Sequence, residues 1–150
     1  GCGSFSEGWA HYLEQFYVES LEAQMPAAGP RGVPTQLLLN QLHMALLRIC
    51  RYLVGLRMHC RGMTYEQAVE FFIKEGFMER VNAEREGRRG TSDPTYLVYT
   101  LGKMQLLKLR DECRAAWGEA FTLKDFHNRF IACGYPPIRI VRMILLGKRE

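Results

Sequence analysis

The chain has no apolar run near the roughly 18 uninterrupted residues that a membrane-spanning helix requires. Leu37 to Met58 comes closest, but Asn40, Gln41, His43, Arg48, Arg51 and Arg57 interrupt it. The first residues lack the charged leader and the apolar block of roughly 7–15 residues that mark a secretory signal. Instead, the sequence opens almost directly inside a patterned helix, as a domain cut from a longer chain would. Cys2, Cys50, Cys60, Cys113 and Cys133 are an odd count with no C-x-x-C pair. That argues against a disulfide framework and against zinc-finger spacing, and favours small buried thiols in a reducing compartment. No alternating strand pattern, internal repeat, low-complexity tract or phosphate-cradling glycine loop is present. The net charge of +4 is mild. Arg80, Arg85, Arg88 and Arg89 are interleaved with Glu79, Glu84 and Glu86 and have no alternating aromatics, so they read as a solvated helix end. Neither a membrane nor a nucleic-acid partner is expected.

At 150 residues and 47% hydrophobic content, the chain suits one domain with a real core. Helical periodicity runs through almost all of it. A first helix spans about Phe5 to Met25, with Phe5, Trp9, Tyr12, Leu13 and Phe16 facing the core. Pro26 to Pro34 reads as a loop. A long second helix runs from Thr35 to about Arg61 and stops at Gly62. Thr64 and Gln67 form a capping box for a third helix. A short helix around Phe77 to Glu84 precedes a polar turn from Glu86 to Pro94. Asp93 and Pro94 then open a helix that continues to Trp117, with Gly118 as its stop. Thr122 with Asp125 starts another helix, ended by Gly134, and Pro136-Pro137 introduces a last one through Leu146. The expectation is an all-α single domain, residues 1–150, of about six or seven helices.

On the first helix, Glu7, His11 and Glu14 fall within roughly 60° of one another, opposite the Trp9/Leu13/Phe16 stripe. Periodicity alone reads this as a solvated polar face. Tyr99 and Arg110 lie about three turns apart, within ~20° on one helix face. Each has a plain reading as well: Tyr99 as a core residue with a bonded hydroxyl, Arg110 as the partner of a nearby acid. His127, between Leu123 and Phe130 on the inner side of its helix, is either a hydrogen-bonded structural histidine or a substrate contact. His59 reads as a helix-end histidine stabilised by the dipole.

Four blocks occur in an order that resembles a known family. Glu7-Gly8-Trp9-Ala10 with Tyr12 and Glu14 is similar to an E-G-W-A-x-Y-x-E motif. His59, Gly62-Met63-Thr64, Glu66 and Ala68 resemble H-x-x-G-M-T-x-E-x-A. Pro94, Tyr99 and Gly102 match P-x-x-x-x-Y-x-x-G, and Phe121, Phe126-His127, Gly134 and Pro136 match a closing F-x-x-x-x-F-H-x-x-x-x-x-x-G-x-P. Together they look like the C-terminal portion of the bacterial domain-of-unknown-function family numbered 885, taken as zinc-metallopeptidase-like. The resemblance implies the C-terminal subdomain of a metallopeptidase-like fold, with Zn as cofactor and peptide as substrate. Glu7 would be the third metal ligand, beside two histidines from an upstream His-Glu…Pro-Gly-His stretch. Tyr99 would serve as an oxyanion donor, Arg110 and His127 as substrate-binding residues, and Glu14 as a residue orienting a ligand, with a plain salt bridge the equal alternative for Glu14.

The four histidines of this chain, His11, His43, His59 and His127, include neither H-E-x-x-H nor Pro-Gly-His. One carboxylate does not hold a catalytic zinc, so the chain alone is expected to be inactive, with the missing N-terminal half of the same protein as its first partner. A non-catalytic helical interaction module is the alternative, and assembly into a homo-oligomer through exposed surface is a further expectation. A nucleic-acid binder using Arg48, Arg51, Arg57 and Arg61 is disfavoured because the second helix is too apolar.

Overall fold

The computed structural model describes residues 2–24 and 35–147. The loop expected over Pro26 to Pro34, and Met25 before it, lie outside the described residues. Seven α-helices and no strand are found among those described: α1 Gly3–Gln24, α2 Thr35–Arg61, α3 Tyr65–Gly76, α4 Arg80–Ser92, α5 Val98–Trp117, α6 Leu123–Ala132 and α7 Ile138–Leu146. A single 3₁₀ turn, Gly118–Ala120, links α5 to α6.

Most boundaries follow local chemistry. Gly62 and Gly118 take left-handed φ angles of 69° and 55°, which let the chain leave a helix without a Cβ clash. The Thr64 hydroxyl accepts from the Gln67 amide while the Gln67 side chain accepts from the Thr64 amide. This reciprocal capping box fixes the start of α3. Thr122 likewise accepts from the Asp125 amide at the head of α6.

Two expectations need correction. The polar turn expected from Glu86 to Pro94, and the short helix before it, are replaced by α4. Phe77 instead closes α3 in a left-handed conformation, φ 53°. Helix α4 forms despite its polar composition because tertiary contacts override weak propensity. Ala83, Gly87 and Gly90 are its buried residues. A Cβ at Gly87 would press on Val69 and Tyr65, and one at Gly90 on Met58 and Tyr96, so the glycines permit close approach to α2 and α3. His59 Nε2 donates to the Gly90 carbonyl at 2.9 Å, so this helix-end histidine also ties α2 to α4.

The second correction concerns Asp93. Rather than capping a helix directly, its Oδ1 accepts from the Thr95 amide and hydroxyl and holds a turn. That turn drives Tyr96 fully inside before α5 begins at Val98.

Two apolar cores result. The first gathers Phe5 and Tyr12 of α1, Leu106, Leu109 and Cys113 of α5, Phe126 and Phe130 of α6, and Ile138 and Val141 of α7. The second gathers Cys50 and Val54 of α2, Ala68, Val69 and Phe72 of α3, Ala83 of α4, and Tyr96. Helices α1 and α5 run parallel, as Gly3 lies beside Val98, Gly8 against Gly102, and Tyr12 under Arg110. At the crossing, a Cβ on Gly102 would overlap the Ser4 carbonyl oxygen, and one on Gly8 would overlap the Gly102 backbone. The cysteines divide: Cys50 and Cys113 are buried thiols, as expected, but Cys60 at the end of α2 is exposed.

Candidate functional site

The Gly8/Gly102 crossing decides the fate of the polar face of α1. With backbones this close, His11, one turn beyond Gly8's neighbour Glu7, is covered, with Lys103 of α5 and Arg48 of α2 nearby. The expected solvated face is therefore partly covered: His11 is buried, and Glu7 and Glu14 are half-buried. His11 is only 2% exposed. Burial, then the charges of Lys103 and Arg48, push its pKa down to about 3, so the imidazole is neutral near neutral pH.

Glu14 Oε1 accepts from Arg48 Nη2 at 2.7 Å, and Glu14 Oε2 faces His11 Nδ1 at 3.5 Å without a formed hydrogen bond. The Arg48 guanidinium also donates to the Met44 carbonyl and lies 5.9 Å from the centre of the Tyr99 ring. Burial lowers the pKa of Lys103, partly opposed by Glu14 and Glu19. The result is a polar cluster joining three helices: His11 and Glu14 from α1, Arg48 from α2, Tyr99 and Lys103 from α5.

Glu7 differs from its neighbours. It sits one turn before His11 on α1, half-buried, with no hydrogen bond or ion pair among the described residues. Of the two acids in the first motif, Glu14 is committed to Arg48 and Glu7 is not.

Tyr99 and Arg110 project from α5 about 16 Å apart along its axis, and the structure gives them different surroundings. Tyr99 belongs to the arginine-rich side. Arg48 stacks over its ring, and its hydroxyl is the chief reason that Arg89 holds its proton more firmly than usual. Arg110 lies 5.8 Å from the Tyr12 ring centre and pairs with Asp111 at 3.4 Å. An open groove beside it is walled by Phe16, Glu19, Ser20 and Leu123.

His127 meets this second group. Its Nε2 and the Tyr12 hydroxyl are 2.9 Å apart, and the Trp9, Phe16 and Phe126 rings surround the imidazole. Burial, then Arg110, lowers its pKa, which favours the neutral ring. Arg110 and His127 are thus brought together around Tyr12, while Tyr99 and Glu7 are not part of that group.

Sequence reasoning gave Lys103 no role, weighed Arg48 only as a disfavoured nucleic-acid contact, and placed Tyr12 in the apolar stripe and the first motif without a polar role. A usable signal existed for Arg48, which lies in an acid-free helix on the side that meets α1. No spacing rule announced Lys103, because its partners come from other helices.

Among the described residues, no group of three or more His, Cys, Asp or Glu side chains is placed to hold a metal ion. The residues present do not by themselves make a zinc site. Glu7 offers one carboxylate, and neutral His11 is turned toward Glu14.

Residues 1–145 match the family described as bacterial protein of unknown function (DUF885), and the chain belongs to it. Two solved structures are similar over nearly the whole chain. One, from Shewanella oneidensis and described as a "putative lipoprotein of unknown function", is 29% identical with a TM-score of 0.84, covering 97% of this chain and 26% of its own. The other, described as a "putative lipoprotein" from Colwellia psychrerythraea, is 26% identical with a TM-score of 0.83, covering 95% of this chain and 23% of its own. The chain therefore spans about a quarter of the length of each. No curated protein matches.

Proposed function

We propose that this chain is the C-terminal helical part of a zinc-dependent peptidase, to which it contributes Glu7 as one metal ligand. The observation that supports this reading is the contrast within α1. The carboxylate at Glu14 is neutralised internally, whereas that of Glu7 is half-buried and left without a partner. A carboxylate committed to no internal partner is free to ligate a cation supplied from outside these residues. Catalytic zinc takes three protein ligands and keeps an open position for water. The other two ligands belong to polypeptide beyond this sequence, so the isolated chain is inactive.

The remaining roles fall to this chain's own side chains. Arg110, facing an open groove, binds a peptide carboxylate with its planar donors. His127, neutral and hydrogen-bonded to Tyr12, gives the substrate a polar contact on the same wall. Tyr99 is the hydroxyl donor to an oxygen on which charge develops, a role for which one donor is worth ~3 kcal/mol. Arg48 and Lys103 lie within its cluster and favour negative charge there.

The test is zinc content of the full-length protein by metal analysis, for wild type, Glu7→Ala and Glu14→Ala. Glu7→Ala is expected to lose most bound zinc, and Glu14→Ala, which breaks an internal ion pair, to retain it. Equal occupancy in wild type and Glu7→Ala would remove Glu7 from the site. A zinc-free wild type would end the peptidase reading in favour of a non-catalytic helical module.

A further inference from the structure

Helix α2 carries a second apolar face besides the one that meets α3 and α4. Leu39, Leu42, Leu46, Ile49, Leu53 and Leu56 recur at alternating intervals of three and four residues. That is the 3.5-residue repeat of a seam that receives another helix. The core-facing residues Cys50 and Val54 lie on a neighbouring side of the same helix, and Leu46, at the edge of the row, also packs against that core. Leu39 is 58% exposed, Leu42 53% and Ile49 45%, while Leu46, Leu53 and Leu56 are half-buried. The row extends about 25 Å at 1.5 Å per residue. Scattered exposed leucines need no explanation, but a continuous row of this length marks an interaction face.

Charge narrows the choice of occupant. Helix α2 contains no Asp or Glu. Arg48 and Arg51 are turned inward to Glu14 and Glu86, whereas Arg57 and Arg61 are exposed at the end of the seam, beside an open groove that Leu53, Leu56 and Met63 also line. Two copies of α2 paired in parallel would set these arginines against each other with no acid to separate them.

The similar structures supply the other clue. In both, this fold is about a quarter of a much longer chain. We infer that the α2 seam is covered, in the full-length protein, by an amphipathic helix from the remaining polypeptide. That helix carries apolar residues at matching three- and four-residue intervals and acidic side chains opposite Arg57 and Arg61. The inference does not depend on zinc or on peptidase activity.

Single cysteines test it in the full-length protein. Leu42→Cys and Ile49→Cys probe the seam. Val81→Cys and Ile131→Cys probe exposed apolar positions elsewhere, at 59% and 53% exposure. Maleimide labelling under native conditions is read by peptide mass mapping, which separates each site from the natural thiols. Circular dichroism and thermal melts confirm that every variant folds, and Leu39→Cys replaces any that does not. The seam cysteines are expected to react at least about tenfold more slowly than the controls, as covered sites must wait for local opening. The protection should persist on dilution of a monomeric protein. Labelling at the control rate means a bare seam and overturns the inference. Protection that disappears on dilution, together with a dimer on sizing chromatography, means that a second copy is the occupant and overturns it equally.

Discussion

The two cores of this protein solve the same packing problem with different materials. The first is filled by large rings. Phe5 stacks on Phe130 at 4.4 Å, Trp9 on Phe130 at 5.2 Å, and Tyr12 on Phe16 at 5.8 Å. Its one close backbone approach, at Gly8 and Gly102, lets the parallel helices α1 and α5 touch. The second core has smaller apolar residues and a polar centre. Arg51 donates two hydrogen bonds to Glu86, at 2.7 and 2.6 Å, and the Tyr96 hydroxyl donates to Glu86 as well. Burial opposes ionisation of Glu86, but Arg51 outweighs it and holds the carboxyl below its usual range. The contrast teaches that the aromatic core tolerates little change in backbone spacing, while the smaller core depends on charge pairing.

The sharpest way to break this comparison is at the helix crossing. Gly102→Ala forces a Cβ onto the Ser4 carbonyl and should cost on the order of 3 kcal/mol or more, or abolish folding. Denaturant unfolding measures it, and a loss below about 1 kcal/mol would mean that α1 and α5 are not in close contact.

Next comes the polar centre. Glu86→Ala leaves the mostly buried Arg51 guanidinium without its partner and should cost about 2–3 kcal/mol. The double variant Arg51→Leu with Glu86→Leu should recover much of that loss, because a well-packed apolar pair often replaces a buried ion pair at little cost. Failure to recover would show that Tyr96, rather than the pair, holds the second core together.

The smallest effect separates the cores by pH. An unfolded His11 takes a proton near pH 6.5, but the folded one does so only near pH 3. The unfolded state thus binds more protons between those values, and stability falls as pH drops through that window. His127, also shifted down by burial, acts in the same direction. Glu86 contributes only once the pH falls below its ordinary value of 4.5. Stability should therefore decline between pH 6.5 and 4.5, by on the order of 2 kcal/mol, through the α1 side of the molecule. His11→Asn should flatten that slope, and an unchanged slope would place the titration elsewhere.

Much of the fold was legible from local chemistry. The Thr64 capping box, the Gly62 and Gly118 stops and the Pro137–Ile138 entry to α7 all act within a few residues, so sequence alone reports them. Helix α4 was not legible. Its glycines and charges signal a turn locally, and only Val69, Tyr65 and Met58 from other helices reveal that Gly87 and Gly90 are contact points. The site was split in the same way. The motif pointed to Glu7 and Glu14 together, yet Arg48, thirty-four residues from Glu14, distinguishes the committed acid from the uncommitted one. Tyr99 and Arg110 share a helix face by periodicity but acquire different partners, because Arg48 of α2 and Arg89 of α4 reach the first while Tyr12 of α1 and Asp111 meet the second.

By itself, then, the sequence determined that this protein is helical and where most of its helices begin and end. These are consequences of capping, turn geometry and periodicity, each confined to a few neighbouring residues. Tertiary structure decided that His11 is buried and neutral, that Glu14 is spent on Arg48, that Arg110 and His127 converge on Tyr12, and that a polar segment becomes α4. In every case the deciding atoms come from another helix. Burial and pairing depend on how closely two backbones approach, and Gly8 against Gly102 sets that distance.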